Sequence, residues 1–432
     1  MKIQESDQFK VGGPRATYVL IICSLLYAIA YADWQVMAVV LQPMKVALGL
    51  TDAQIGGLNS AYFLGIILCS LPVAHLVDVW SRKKMIGLMA FIFSIFTVAT
   101  AFVGGFVSLL LVRFGVGVGE TGVPPAGTAL ISASYPEEKR GAKLGIFNAF
   151  ITVGIIFGVI MGGFLSANYG GWRTPFYCFG IPGIILGILA FFMQDYKLQT
   201  ADGSAVVHES FLTNLKQLLK IPTLRWLYFA VGMYCALQIS VGTWFPALLM
   251  RTYNVKEDVA GLVMGVVTIL GLLGPIGGGI LADRWMKKRG GGGRMLLASV
   301  SVASAVVFLF LVLLAVFDIT NKNLMIFCAI MMPLHSICSG MAFPAAGATS
   351  QDVVPARLKG LAWGVGIVAC FVLGGAWGPL VVGGISDAYG GGYQGLALGF
   401  AVAGLFGLLA SFLFFKTSRH VANDMKKVKD AA

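Results

Sequence analysis

Charge is what this sequence has least of. Only 12% of its 432 residues are Asp, Glu, Lys or Arg, while 58% are hydrophobic. A soluble globular domain carries about 25% charged residues and about 45–50% apolar ones. Too few charges are present to clothe the chain in water, so soluble-enzyme, disordered and disulfide-scaffold classes are excluded. Acidic residues are the scarcer sign, 19 against 31 basic, and histidines number only 4. The seven cysteines, Cys23, Cys69, Cys178, Cys235, Cys328, Cys338 and Cys370, each fall within or at the end of an apolar run. None stands at CxxC or metal-ligand spacing, so they read as small packing residues, and no metal or other cofactor is expected. HExxH, Walker A and nucleophile-elbow patterns are missing too, which leaves no catalytic constellation for an enzyme.

What is present is a series of long apolar runs. Twelve can be drawn, at about 17–41, 53–77, 85–106, 107–131, 144–168, 174–193, 225–250, 259–282, 295–317, 323–348, 360–386 and 395–415. Each is near the roughly 20 residues a spanning helix needs. The fold class expected is an all-α membrane protein, because lipid cannot satisfy an open strand edge, and barrel-type alternation is missing. The polar start, MKIQESDQFKVGGPR, precedes a run too long for a signal peptide, so the first run reads as a retained span.

Basic residues fix an expected orientation. With the N-terminus placed inside, 25 of the 31 Lys and Arg fall in cytoplasmic segments, 5 in outer loops, and Arg113 within a span. That bias puts both termini in the cytoplasm of a multi-pass inner-membrane protein. It also accounts for the net charge of +12 without a nucleic-acid partner.

The halves repeat. Pro125, Pro136 and Gly141 recur 219 residues later as Pro344, Pro355 and Gly360, and Gly154 and Gly158 recur 220 later as Gly374 and Gly378. Ala74-x-x-x-Asp78 parallels Gly279-x-x-x-Asp283 at an offset of 205. Two parallel six-helix halves form a transporter architecture. The domains expected are a bundle over 1–193, a cytoplasmic linker over 194–224, a second bundle over 225–418 and a tail over 419–432. Within the linker, 209–220 reads as an interfacial amphipathic helix.

These motifs resemble the major facilitator superfamily along essentially the whole chain. AHLVDVWSRKK (Ala74 to Lys84) and GILADRWMKKR (Gly279 to Arg289) look like the two copies of the family's cytoplasmic loop motif. Arg113-x-x-x-Gly117, the spaced Gly154, Gly158, Gly162 and Gly163, and GWRTPF (Gly171 to Phe176) fit as well. Within the superfamily, LQPMKVALGLTDAQIGGL (Leu41 to Leu58) and RFGVGVGETGVPPAG (Arg113 to Gly127) are similar to the bacterial spinster-like group. The anion:cation symporter group shares some of these features. Both usually carry Asp-Arg in the first helix, where this chain has Asp33-Trp34. The resemblance implies a major facilitator fold of 12 helices in two six-helix bundles. It also implies that the first, fourth, seventh and tenth helices line a central cavity. Asp78, Arg82, Arg140, Asp283 and Arg284 would then form gating latches, Asp78 reaching Arg140 or a helix end of the other half. Snorkelling and topology signalling explain the same basic residues without a latch.

Three ionisable residues fall deep within spans: Asp33, Arg113 and Glu120. Charges in lipid are costly and usually face a cavity or a partner. Asp33 and Arg113 are at similar expected depths and can pair. Glu120 is seven residues, two helical turns, beyond Arg113 and shares its face. The repeat puts Met332 and Ser339 at the counterparts of Arg113 and Glu120, so symmetry of the scaffold does not require these charges. Burial disfavours an ionised carboxylate and a neighbouring guanidinium favours it, which suits a group that loads and releases a proton. The competing reading is a fixed Asp33–Arg113 pair that only locks two helices. His335 is either a titrating cavity group or a hydrogen-bonded structural one. Trp34, Gln35, Gln238, Trp244, Ser339 and Trp377 are possible cavity-wall residues, although packing explains the tryptophans equally well. Gly117-Val-Gly119-Glu-Thr-Gly122 fits GxGxxG but falls within a span, so it reads as a close helix contact and not as a dinucleotide site.

The expected function is therefore secondary active transport by alternating access, in a monomer, of a lysolipid-like amphiphile or a small organic anion. Proton coupling through Glu120 is expected, with Asp33 and Arg113 in the substrate or coupling site. An uncoupled uniporter or exchanger for organic anions is the alternative.

Overall fold

A computed structural model of the chain describes residues 3–4, 11–198, 211–317 and 323–430. It is almost entirely helical. In chain order come α1 (Gly13–Leu48), α2 (Asp52–Val79), α3 (Arg82–Thr100), α4 (Phe106–Glu120), α5 (Val123–Ser134), α6 (Glu137–Asn168) and α7 (Thr174–Ala190). A short helix, α8 (Phe211–Lys220), precedes α9 (Pro222–Tyr253), α10 (Glu257–Gly271), α11 (Leu273–Arg289), α12 (Gly293–Phe317) and α13 (Asn323–Gly340). Then follow α14 (Ala342–Asp352), α15 (Lys359–Cys370), α16 (Gly378–Ala388) and α17 (Tyr393–Asp430). Two two-residue strands, β1 (Ile3–Gln4) and β2 (Lys197–Leu198), pair antiparallel. Residues 199–210 of the expected linker lie outside the described residues.

Among the described residues, eleven helical segments are long and apolar enough to cross a membrane. They coincide with eleven of the twelve expected runs. The remaining run, 323–348, is occupied by α13 and α14. Three segments are broken within their length: Phe106–Ser134 between α4 and α5, Glu257–Arg289 between α10 and α11, and Lys359–Ala388 between α15 and α16. The first break has a local cause. Pro124 and Pro125 stand in the first turn of α5 and carry no N–H to bond back toward α4.

The chain divides into two compact units. The first holds residues 1–50, 60–207 and 256–265, and the second holds 51–59, 208–255 and 266–432. Each unit thus takes in the opening residues of a helix that continues in the other. Those two pieces start at Thr51 and Lys256, 205 residues apart. That equals the offset between the two loop-motif copies, so the exchange follows the internal repeat.

Inside the first unit, α1 packs on α6 and α7, and α3 packs on α4 and α7. Glycine sets the α1–α6 approach: a Cβ at Gly154 or Gly158 would collide with the carbonyl oxygens of Ala28 and Ala32 on α1. Small residues let backbones come this close without lost packing. The second unit repeats the device. A Cβ at Gly374 or Gly378 would strike the backbone of Gly232 and Ala236 on α9. Gly232 and Ala236 follow Ala28 and Ala32 by 204 residues, so the recurrence of glycines corresponds to a recurrent helix contact.

One expectation is corrected here. Cys235 on α9 and Cys370 at the end of α15 are joined by a disulfide, their Cα atoms 5.5 Å apart, and so are not packing residues alone. Their sequence separation of 135 gave no spacing signal; the helix contact brings them together. Cys23 and Cys328 are buried free thiols, as expected of small packing residues.

Candidate functional site

Asp33, Arg113 and Glu120, the three charges expected deep within spans, come together in the first unit. Asp33, on α1, is fully buried, and its Oδ2 accepts a hydrogen bond from Arg113 Nη1 at 3.3 Å. Arg113, on α4, is 2% exposed. Its guanidinium carbon lies 5.5 Å from the ring centroid of Tyr62 on α2, a cation–π distance. The Tyr62 hydroxyl donates to Glu120 Oε2. A chain of contacts therefore runs Asp33, Arg113, Tyr62, Glu120 across three helices. Asp33 Oδ1 and Glu120 Oε1 are buried with no hydrogen-bond partner. An unsatisfied carboxylate oxygen in such surroundings is expensive.

Glycine explains how Tyr62 reaches the site. A Cβ at Gly117 would collide with the Tyr62 carbonyl oxygen, and one at Gly65 would press on that of Phe114. The α2 and α4 backbones are therefore nearly touching beside Arg113 and Glu120. The GxGxxG run acts as the close helix contact read from its place within a span. Tyr62 itself was not singled out from sequence, because tyrosine is common in apolar runs and only its partners distinguish it.

The possible wall residues divide. Trp34 is half-buried, edge-on to Tyr31 with ring centroids 6.1 Å apart, and Gln35 is buried. In the second unit, Trp244 is fully buried and donates its indole N–H to Pro379 O at 2.9 Å, a packing role. Trp377 is half-buried against Phe406. His335 is buried with Nδ1 2.8 Å from Ala305 O; a carbonyl can only accept, so Nδ1 carries the proton. Its Nε2 has no partner, and neither do Gln238 Oε1 and Ser339 Oγ. Tyr234 donates to the Ser339 backbone oxygen at 3.1 Å, placing the second unit's neutral polar groups on facing stretches of α9 and α13.

The cytoplasmic motif residues are placed differently. Arg82 is buried, bonds Tyr196 O at 3.2 Å and stacks on the Tyr196 ring. Asp283 is exposed and takes Arg294, which also bonds Asp352. Arg284 and Arg140 are exposed. The Asp78 side chain lies outside those described, and so does its expected contact with Arg140.

A further charged cluster was not anticipated. Asp52, the first residue of α2 and part of the second unit, is fully buried. Arg251 of α9 grips it with two hydrogen bonds of 2.7 Å, and Ser386 donates a third. The backbone N–H groups of Asp52 and Ala53 in turn donate to the Asp387 carboxylate. Asp387 thus caps the start of α2 from α16, as a carboxylate at a helix N-terminus does.

With this geometry in view, the comparisons decide the family. The sequence pattern of the Major Facilitator Superfamily matches residues 23–369. The chain belongs to that superfamily. It is a multi-pass membrane protein, and it spans a little under two thirds of the length of the first curated relatives it matches. Its fold matches the crystal structure of a bacterial homologue of the human lysosomal transporter Spinster, in an inward-facing, unoccupied conformation. That match has a TM-score of 0.81 at 22% identity and covers 96% of this chain and 99% of the other. In sequence the chain is 26% identical to a probable L-galactonate transporter of Escherichia coli (strain K12), over 63% of each chain. It is 25% identical to the probable galactarate/D-glucarate transporter GarP of the same organism, over 89% of this chain and 91% of that one. An MFS-type efflux pump of Mycolicibacterium smegmatis is 27% identical over 89% of this chain and 88% of the pump.

Proposed function

We propose that this transporter is a proton-coupled carrier of small organic anions, with sugar acids as the favoured substrate class. The carrying observation is the group of one cation and two carboxyls within one unit: Arg113 and Asp33, both buried, and Glu120, half-buried and held by Tyr62. With both carboxyls ionised the group has net charge −1 and repels an anion. Protonating Glu120 brings it to zero and leaves Arg113 available to share between Asp33 and a substrate carboxylate. At a separation of about 4 Å and an effective dielectric near 20, one charge changes the interaction by about 4 kcal/mol. Anion and proton therefore favour each other's binding, and linkage makes that effect reciprocal. The sugar-acid relatives support the anion class over a lysolipid-like amphiphile. Trp34 stands where the resemblance expects a cation, so the cation beside Asp33 is Arg113.

The Lys and Arg distribution supports an inner-membrane orientation with both termini cytoplasmic. The chain would work as a monomer, with bundles over 1–193 and 225–418 joined by the 194–224 linker. The deciding experiment uses proteoliposomes, an imposed pH gradient and labelled galactarate. Glu120→Gln should abolish uphill accumulation while exchange of internal for external substrate persists. Accumulation that survives in the variant with its pH dependence intact would sink the coupling assignment and favour a uniporter.

A further inference from the structure

We infer that Tyr62 is a positioning residue of the transport site: its hydroxyl sets how readily Glu120 takes up a proton, and its ring holds Arg113 where an anion can meet it, a role that rests on the proton-coupled reading proposed above. Tyr62 is buried on α2 and touches both charged residues of α4. Its hydroxyl donates to Glu120 Oε2, and its ring centroid lies 5.5 Å from the Arg113 guanidinium carbon.

The hydroxyl end acts on a proton. Among the described residues, the Tyr62 hydroxyl is the one hydrogen-bond partner of the Glu120 carboxyl, whose Oε1 is buried without one. A phenol hydroxyl can donate to an ionised carboxylate and can accept from a protonated one. The two bonds are unequal, since one to a charged acceptor is about twice as strong. Losing the hydroxyl therefore costs the ionised carboxyl more than the protonated one. The other charged or titratable groups near Glu120 are Asp33, Tyr27 and Tyr31 of α1 and Arg113 of its own helix. From α3, Phe93 and Met89 meet the neighbouring Gly119 and Gly122, and neither carries a charge.

The ring end holds a cation and leaves its charge whole. A cation over an aromatic face is attracted by the ring quadrupole, whereas a second carboxylate would neutralise it. Among the described residues, Arg113 has an ion pair with Asp33, at 3.3 Å, and none with Glu120. Glu120 is two turns beyond Arg113, and side chains on a helix tilt toward its N-terminus, so a direct Arg113–Glu120 pair is within reach. Tyr62 engages both groups instead, ring against the cation and hydroxyl against the carboxyl. Its own place is fixed by the close approach of α2 and α4, where a Cβ at Gly65 or Gly117 would strike the facing backbone.

The test pairs an infrared titration of the purified full chain with uptake of labelled galactarate into proteoliposomes. The Glu120 carboxyl band is the one that Glu120→Gln removes. In Tyr62→Phe, which keeps the ring, that band should titrate about one to two pH units higher than in the wild type, the worth of a hydrogen bond to a charged group. The pH profile of uptake should move by the same amount, with the KM at its optimum unchanged. Tyr62→Leu, which removes the ring as well, should raise that KM roughly fivefold through the lost support of Arg113. Adding Tyr62→Phe to Glu120→Gln should leave the pH profile as it is in Glu120→Gln alone, since the hydroxyl acts through that carboxyl. A Glu120 band that stays in place in Tyr62→Phe, or an equal rise of KM in Tyr62→Phe and Tyr62→Leu, would overturn the assignment. The coupling reading fails separately: uphill uptake that keeps its pH dependence in Glu120→Gln sinks it, whatever the band does.

Discussion

Asp52 and Arg251 show how much a residue's meaning depends on its distant partner. In sequence Asp52 stands just before an apolar run, where an acid is unremarkable. In the structure it is fully buried, 199 residues from the guanidinium that grips it. Breaking a buried pair by removing one partner costs about 3–5 kcal/mol, because the other charge is left without compensation. Asp52→Ala and Arg251→Ala should each lower stability by about that amount, and the double variant should lose less than their sum. Denaturant unfolding of the four proteins in one detergent measures the cycle; strictly additive losses would show that the pair does not couple. The contrast with Asp33, Arg113 and Glu120 is physical. Those three were legible because a charge inside an apolar run has few tolerable environments. Tyr62 and Asp52 were not, because a tyrosine in a span or an acid at its edge is cheap until tertiary packing decides otherwise.

At the scale of the helix, glycine does the positioning. The spacing of Gly154, Gly158 and Gly162 was visible in sequence, and so was its recurrence at Gly374 and Gly378. Sequence did not reveal which helix each stripe touches, or that α4, α10 and α15 stop partway through their spans. The first of these breaks follows from Pro124 and Pro125, local backbone chemistry that run length averages away. The α1–α6 contact holds the helix that carries Asp33, so its tolerance is testable. Gly158→Ala would press a methyl into the Ala32 carbonyl, and it should destabilise by about 1–3 kcal/mol, the usual penalty for overpacking. Gly145→Ala, on the same helix with open space around it, should leave stability unchanged or slightly raised through helix propensity. Equal losses in both variants would mean that α6 responds to any substitution and that the close approach is not the cause.

For the whole molecule, the informative fact is that a repeated scaffold carries unequal chemistry. The loop motif, the glycine contacts and even the exchanged helix openings recur between the halves, yet Arg113 and Glu120 are answered by Met332 and Ser339. The first unit therefore holds Arg113 and Glu120, the charges that the repeat does not reproduce, while the second has its own buried pair, Asp52 and Arg251, at a helix start. On α9 and α13 the second unit also holds neutral donors and acceptors, Gln238, His335 and Ser339, each with one buried atom unpartnered. A polyhydroxylated acid of the proposed class calls for both kinds of partner, a charge for its carboxylates and neutral groups for its hydroxyls. Gln238→Ala should then raise the KM for galactarate roughly tenfold, the worth of one hydrogen bond to a substrate hydroxyl. The pH dependence of uptake should stay as in the wild type, since no proton-carrying group is touched. Glu120→Gln should do the reverse, flattening the pH dependence at a modest change in exchange KM. Initial-rate uptake by the two variants across a pH series separates these outcomes. A Gln238→Ala variant whose pH profile shifts with its KM would show that proton and substrate chemistry are not divided along the repeat.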